Sequence, residues 1–225
     1  MKKKILVLVV VVCLCLPALV WAQLGGLLGK KPEPKVDVDG LSARSVAIMG
    51  LVQKATISFA EGVVAIQEAC GKKEEAEKLK QNIANLKSNP NKNTTGVLIS
   101  SANEATANIE KDNSIAQINA EEARKFMALS ILNVGVAVYL DGIAAKDGAV
   151  LLKDAQGAMK QVSPTLLPKV KDVVDVGQFV GQEVPPQAAS MKTFSGKLIE
   201  YAKTKGIPIP SPEDIEKKAK EVGRE

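Results

Sequence analysis

Lys54, Glu61 and Glu68 stand seven residues apart. On a helix that spacing puts them on one narrow stripe, shared with Ala43, Ala47, Gly50, Ser58 and Ala65. A stripe of this kind is either a solvated edge or a polar patch inside a ligand cavity. Asp141 and Asp147, beside the most apolar part of the chain, invite the same two readings. Cys70, just before Gly71, reads as a small buried hydrophobe carrying a free thiol. Gly50, Gly62, Gly135 and Gly142 interrupt apolar runs and offer either close helix contacts or the wall of a cavity.

Other chemistry finds little support. The chain has no histidine. Histidine triads, imidazole shuttles and the Glu-x-x-His motif of di-metal bundles therefore fall away together. Asp37-Val38-Asp39-Gly40 is a fragment of a Ca²⁺ loop that lacks the later bidentate acid. Gly25 to Lys31 misses the phosphate-loop spacing by one residue, and no Ser or Thr follows its lysines. No Ser-x-x-Lys occurs. A paired-carboxylate glycosidase remains open by residue type. Yet Phe59, Phe126, Phe179, Phe194, Tyr139 and Tyr201 are the only aromatics besides Trp21, too few to build sugar-stacking platforms readily. The expectation is a non-enzyme with no cofactor and no metal.

The first residues set the compartment. Lys2-Lys3-Lys4 is a positive start, Ile5 to Leu19 an apolar run, and Val20-Trp21-Ala22 a small-residue cleavage site. Residues 1–22 thus read as a secretory signal, leaving Gln23 as the mature start and a periplasmic or secreted destination. Val12 and Leu14 precede Cys13 and Cys15, which does not suit lipidation. The formal charge of +5 counts the three leader lysines; without them 27 basic residues face 25 acidic ones. A near-neutral mature chain gives no footprint for nucleic acid. One cysteine remains after cleavage, so no internal disulfide is expected.

These residues must be positioned by helices. Residues 23–40 are rich in Gly, Pro and Lys and read as a flexible linker. Helical spacing then runs over 41–70, capped by Asp39 or Ser42, over 72–87, and over 95–111. A fourth helix starts at Ser114 or Asn119 and continues to about Ala145, with a bend at Asp147-Gly148 before the pattern resumes. A fifth follows Pro164 and Pro168 and is stopped by Pro185-Pro186; a sixth carries Ala188, Met191, Phe194, Leu198 and Ala202. Residues 206–225 form a proline-containing connector and a last short helix opened by Ser211.

The fold class expected is all-α, a single-domain bundle of five to seven helices over 41–205, with the helices at 41–70 and 115–145 at its centre. The runs Val46–Ala69 and Met127–Leu152 could also act on membranes, but water-soluble cores use the same residues, and no transmembrane span is expected after signal cleavage. The function expected is binding of another protein or an envelope component. The alternative is a carrier for an apolar small molecule held between the central helices.

Overall fold

The structure is a computed structural model, and it describes residues 36–224. The expected signal over 1–22 and most of the expected linker lie outside the described residues. Within them the chain forms an all-α bundle: α1 (Val38–Ala69), α2 (Lys73–Ser88), α3 (Lys92–Lys111), a 3₁₀ turn (Ser114–Gln117), α4 (Ala120–Ala158), α5 (Leu167–Thr204) and α6 (Pro212–Arg224). No strand occurs among the described residues.

Each start has a local cause. Asp37 accepts the Gly40 amide at 2.8 Å and opens α1 three residues before the expected Leu41, so the end of the expected linker is helical and neither Asp39 nor Ser42 is the cap. Asn91 and Thr94 form a reciprocal capping box, which starts α3 at Lys92 instead of Thr95. Asn119 caps α4 by accepting the Glu122 amide at 3.0 Å; Ser114, the other expected start, opens the 3₁₀ turn. Ser211 and Asp214 cap α6 in the same reciprocal way.

Two expected breaks do not occur. α4 runs unbroken past Asp147-Gly148, because Gly148 is buried where α5 comes close: a Cβ there would meet Val180 Cγ1 at 2.8 Å. α5 runs unbroken through Pro185 and Pro186, merging the expected fifth and sixth helices. Two intrahelical hydrogen bonds are lost there. Both prolines and the residues whose carbonyls they orphan, Gly181 and Gln182, are exposed, so water can serve those carbonyls. Val184 and Gln187, on the other side, are buried and hold the helix to the bundle.

α1 and α4 make the most extensive contact, as expected of the central pair. They run antiparallel, with Arg44 paired to Asp154 at one end and Gly62 against Ser130 towards the other. α5 lies along both. A large apolar cluster, including Phe59, Ile66, Leu98, Met127, Met191 and Phe194, is enclosed by α1 to α5. A second, of Leu41, Ile48, Val52, Leu151, Val170 and Val173 among others, is built by α1, α4 and α5 alone. α6 covers the seam between α1 and α4 through Ala219, packed with Ala55, Val136 and Leu140.

Candidate functional site

The Lys54, Glu61 and Glu68 stripe is divided between two neighbours. Lys54 donates to the Gly223 carbonyl at 3.2 Å, placing a cation on the C-terminal end of α6, where the helix dipole favours it. Glu61 pairs with Lys87 at 3.0 Å, and Glu68 with Lys80 at 2.7 Å, tying α1 to α2. The stripe is therefore a half-exposed edge whose charges are met by other helices, and it does not line an enclosed cavity.

Glu61 and Glu68 do border an open groove of about 490 Å³ between α1, α2 and α4. Val64, Ala65 and Ile83 form its apolar floor, and Phe126 and Leu129 stand on its α4 side. Leu129 is 48% exposed, leaving about half of an aliphatic side chain in water. Lys125 sits over the Phe126 ring at 4.9 Å, adding a cation to that wall. The helical period explains the composition. α1 is apolar nearly all round, so the stretch at the base of the groove is still Val64 and Ala65, both buried.

The four glycines separate into two kinds. A Cβ on Gly62 would meet Val134 Cγ2 at 3.0 Å and the Ser130 carbonyl at 3.2 Å, so α1 and α4 touch there. Ser130 Oγ reinforces the contact by donating to the Gly62 carbonyl at 2.7 Å. Gly135 does not face α1: its open side is filled by Ile215 of α6, at 2.8 Å from a notional Cβ. A Cβ on Gly50 or Gly142 would meet nothing within 4 Å among the described residues, so neither glycine makes a close helix contact there. The contacts not anticipated are Gly148 against Val180 and Gly177 against Leu152, which bring α4 and α5 together.

Cys70 is free, but it is half-buried at the end of α1, less enclosed than its apolar run suggested. Burial pushes its thiol up to about 11, against the pull of Lys72 and with a further push from Glu122. It is a poor nucleophile at neutral pH.

Of the two aspartates beside the apolar run, Asp147 is exposed and Asp141 is buried. Asp141 accepts from Gln187 Nε2 at 3.0 Å, and Gln187 Oε1 lies 3.2 Å from Thr56 Oγ1. Thr56 and Gln187 were not singled out by sequence. Their signal is positional: each takes a core place in an apolar helical register, Thr56 between Val52 and Phe59 and Gln187 between Val184 and Met191.

Among the described residues no cluster of three His, Cys, Asp or Glu is arranged to hold a metal ion. Two helices, Val38–Ala69 and Glu121–Ala158, are long and apolar enough to cross a membrane, with mean hydropathies of 1.2 and 1.7 over their best stretches. In the bundle, 56% and 44% of those stretches are buried. No protein-family model matches the chain, and no curated protein or solved structure is significantly similar to it.

Proposed function

We propose that this chain is a non-enzymatic protein of the cell envelope that binds another protein or an envelope component through the α1/α2/α4 groove. The observation that carries the reading is the groove itself: an open cleft with the buried Val64, Ala65 and Ile83 at its base, an exposed Leu129, and a rim of Glu61–Lys87 and Glu68–Lys80 pairs. That combination of apolar centre and charged border is the usual anatomy of a protein-binding surface. It is too open to surround a small molecule, which sites for such ligands normally do. The carrier alternative draws no support from the central glycines, since Gly62 and Gly135 are filled by Val134 and Ile215. The membrane-length helices serve in this reading as core helices of a secreted protein.

The test is native mass spectrometry of the protein from its own host, run beside Leu129→Glu. The expected result is an intact mass beginning at Gln23, with a bound macromolecule or envelope component on the parent that Leu129→Glu loses. Retention of the same component by Leu129→Glu would take the groove out of the reading. An apolar small molecule carried by both forms would favour the carrier.

A further inference from the structure

Thr56, Asp141 and Gln187 form a polar layer across the bundle, one residue each from α1, α4 and α5. Each is flanked on its own helix by buried apolar residues: Val52 and Phe59, Ala137 and Ala144, Val184 and Met191. The layer separates the two large apolar clusters, since Phe59, Ala137 and Met191 belong to one and Val52, Ala144 and Val184 to the other.

The hydrogen-bond inventory of this layer does not close with an ionised aspartate. Thr56 Oγ1 lies 2.8 Å from the Val52 carbonyl and 3.2 Å from Gln187 Oε1, and both are acceptors. A hydroxyl has one proton, so one of the two goes without whenever the other is served. Asp141 Oδ1 is buried with no hydrogen-bond partner among the described residues. A half-turn of the Gln187 amide resolves the conflict. Nε2 then donates to Thr56 Oγ1, and Thr56 keeps its own proton on Val52. Oε1 now faces Asp141 Oδ2 across the 3.0 Å contact and requires a donor. Only the neutral acid supplies one.

We propose that this layer is a proton-binding switch, in which uptake of one solvent proton by Asp141 is coupled to a half-turn of the Gln187 amide. In the ionised form Gln187 donates to Asp141. In the protonated form Asp141 donates to Gln187, and Gln187 donates to Thr56. No proton is lost or gained besides the one taken from water.

The surroundings favour proton uptake. Among the described residues no charged group acts on Asp141; burial drives its carboxyl from the ordinary 3.8 up to about 8, against the pull of the Gln187 hydrogen bond. On α1, Lys54 and Glu61 reach to α6 and α2. On α5, Glu183 and Lys192 flank Gln187 in sequence at partly and fully exposed positions; on α4, Lys146 and Asp147 are exposed. α6 meets α4 through Val136, Tyr139 and Leu140, and its paired Lys220 and Glu216 are half-exposed.

The sign follows from linkage. The folded state holds a proton that the unfolded state has released between about pH 4 and about pH 8, so stability falls as pH rises through that window. The folding equilibrium constant should drop about tenfold per pH unit there.

A pH titration of the full chain labelled with ¹³C at the aspartate carboxyls reads the switch directly. One carboxyl is expected to titrate near pH 8. If every aspartate is ionised by pH 6, the proposal fails. Thr56→Val tests the coupling, because it removes the acceptor that the turned amide needs. The high titration should move down by a unit or more, a tenfold loss of proton affinity. An unchanged midpoint means that Asp141 is simply buried and the amide turn is wrong. Asp141→Asn should abolish the pH dependence of the denaturation midpoint between pH 5 and 8. Should that variant not fold, the first two measurements decide without it.

Discussion

The two ends of the bundle solve the same packing problem with different numbers of helices. At the end holding α2 and α3, five helices surround Phe59 and Phe194, whose rings meet edge to face with centroids 6.4 Å apart. Large side chains fit because there are helices on every side to close over them. At the other end only α1, α4 and α5 remain, and the buried residues are mostly Val, Ala and Leu. Three helices enclose little volume, so they must approach closely, and the glycines provide the approach at Gly148–Val180 and Gly177–Leu152. Even so, Val46, Ile143, Val150 and Leu166 stay exposed there, with Val46 at 71%. A core of small side chains is the physical consequence of having fewer helices, and incomplete burial comes with it.

The largest effect should come from the crowded end. Phe194→Ala removes a fully buried ring between five helices that cannot collapse onto the space, and should cost about 3–5 kcal/mol. Leu151→Ala, equally buried at the three-helix end, should fall near 2 kcal/mol, because a half-open site relaxes more easily. Chemical-denaturation midpoints at equal slope measure both. Leu198→Ala, fully buried at the crowded end, removes the same atoms as Leu151→Ala and should cost more; equal costs for these two leucines would mean that the two ends are packed alike.

Next come the close approaches. A Cβ on Gly177 would lie 2.9 Å from Leu152 Cβ and 3.2 Å from its Cα, so backbone has to move. Gly177→Ala should destabilise by about 1–3 kcal/mol. Gly135→Leu should act differently from a core substitution. Its side chain would displace Ile215, and α6 buries only Ala219 fully, so the expected outcome is release of α6 with the rest of the bundle intact. Amide exchange over 212–224 should rise while that of α5 does not. A global loss of protection would show that α6 is integral to the core.

The helical period made the bundle, the central pair and most helix positions legible, because a 3.6-residue apolar repeat states which side of a helix is buried. It did not state what that side meets. Gly135 read as a close helix contact or a cavity wall, and only the fold shows that its neighbour is Ile215 of α6. Pro185-Pro186 looked like a stop, because a proline penalty is local while the compensation is not: only the fold reveals that both rings face water. Thr56 and Gln187 were passed over because a polar residue inside an apolar register reads as noise until its partner on another helix is known. Asp141 was noticed for its charge, and its meaning depended on those two.

The mildest substitutions are alanines at two glycines of the central helices. Gly62 and Gly142 both sit in the interior of the central helices, and sequence alone treats them alike. Gly62 is enclosed where α1 meets α4, whereas Gly142 has nothing within 4 Å of a notional Cβ. At an open helical position, alanine restricts the unfolded chain and meets nothing in the folded one, so Gly142→Ala should stabilise by about 0.5–1 kcal/mol. At Gly62 the added methyl must push Val134 and the Ser130 carbonyl apart and disturb the Ser130 hydrogen bond to the Gly62 carbonyl. There the sign should reverse. The pair measures whether a glycine on a closed seam of the crowded end differs from one on the open face of α4 next to the three-helix end, since both substitutions add the same atoms to the same kind of helix. A midpoint lowered by Gly142→Ala would mean that something packs on that exposed side of α4 and that this face is closed.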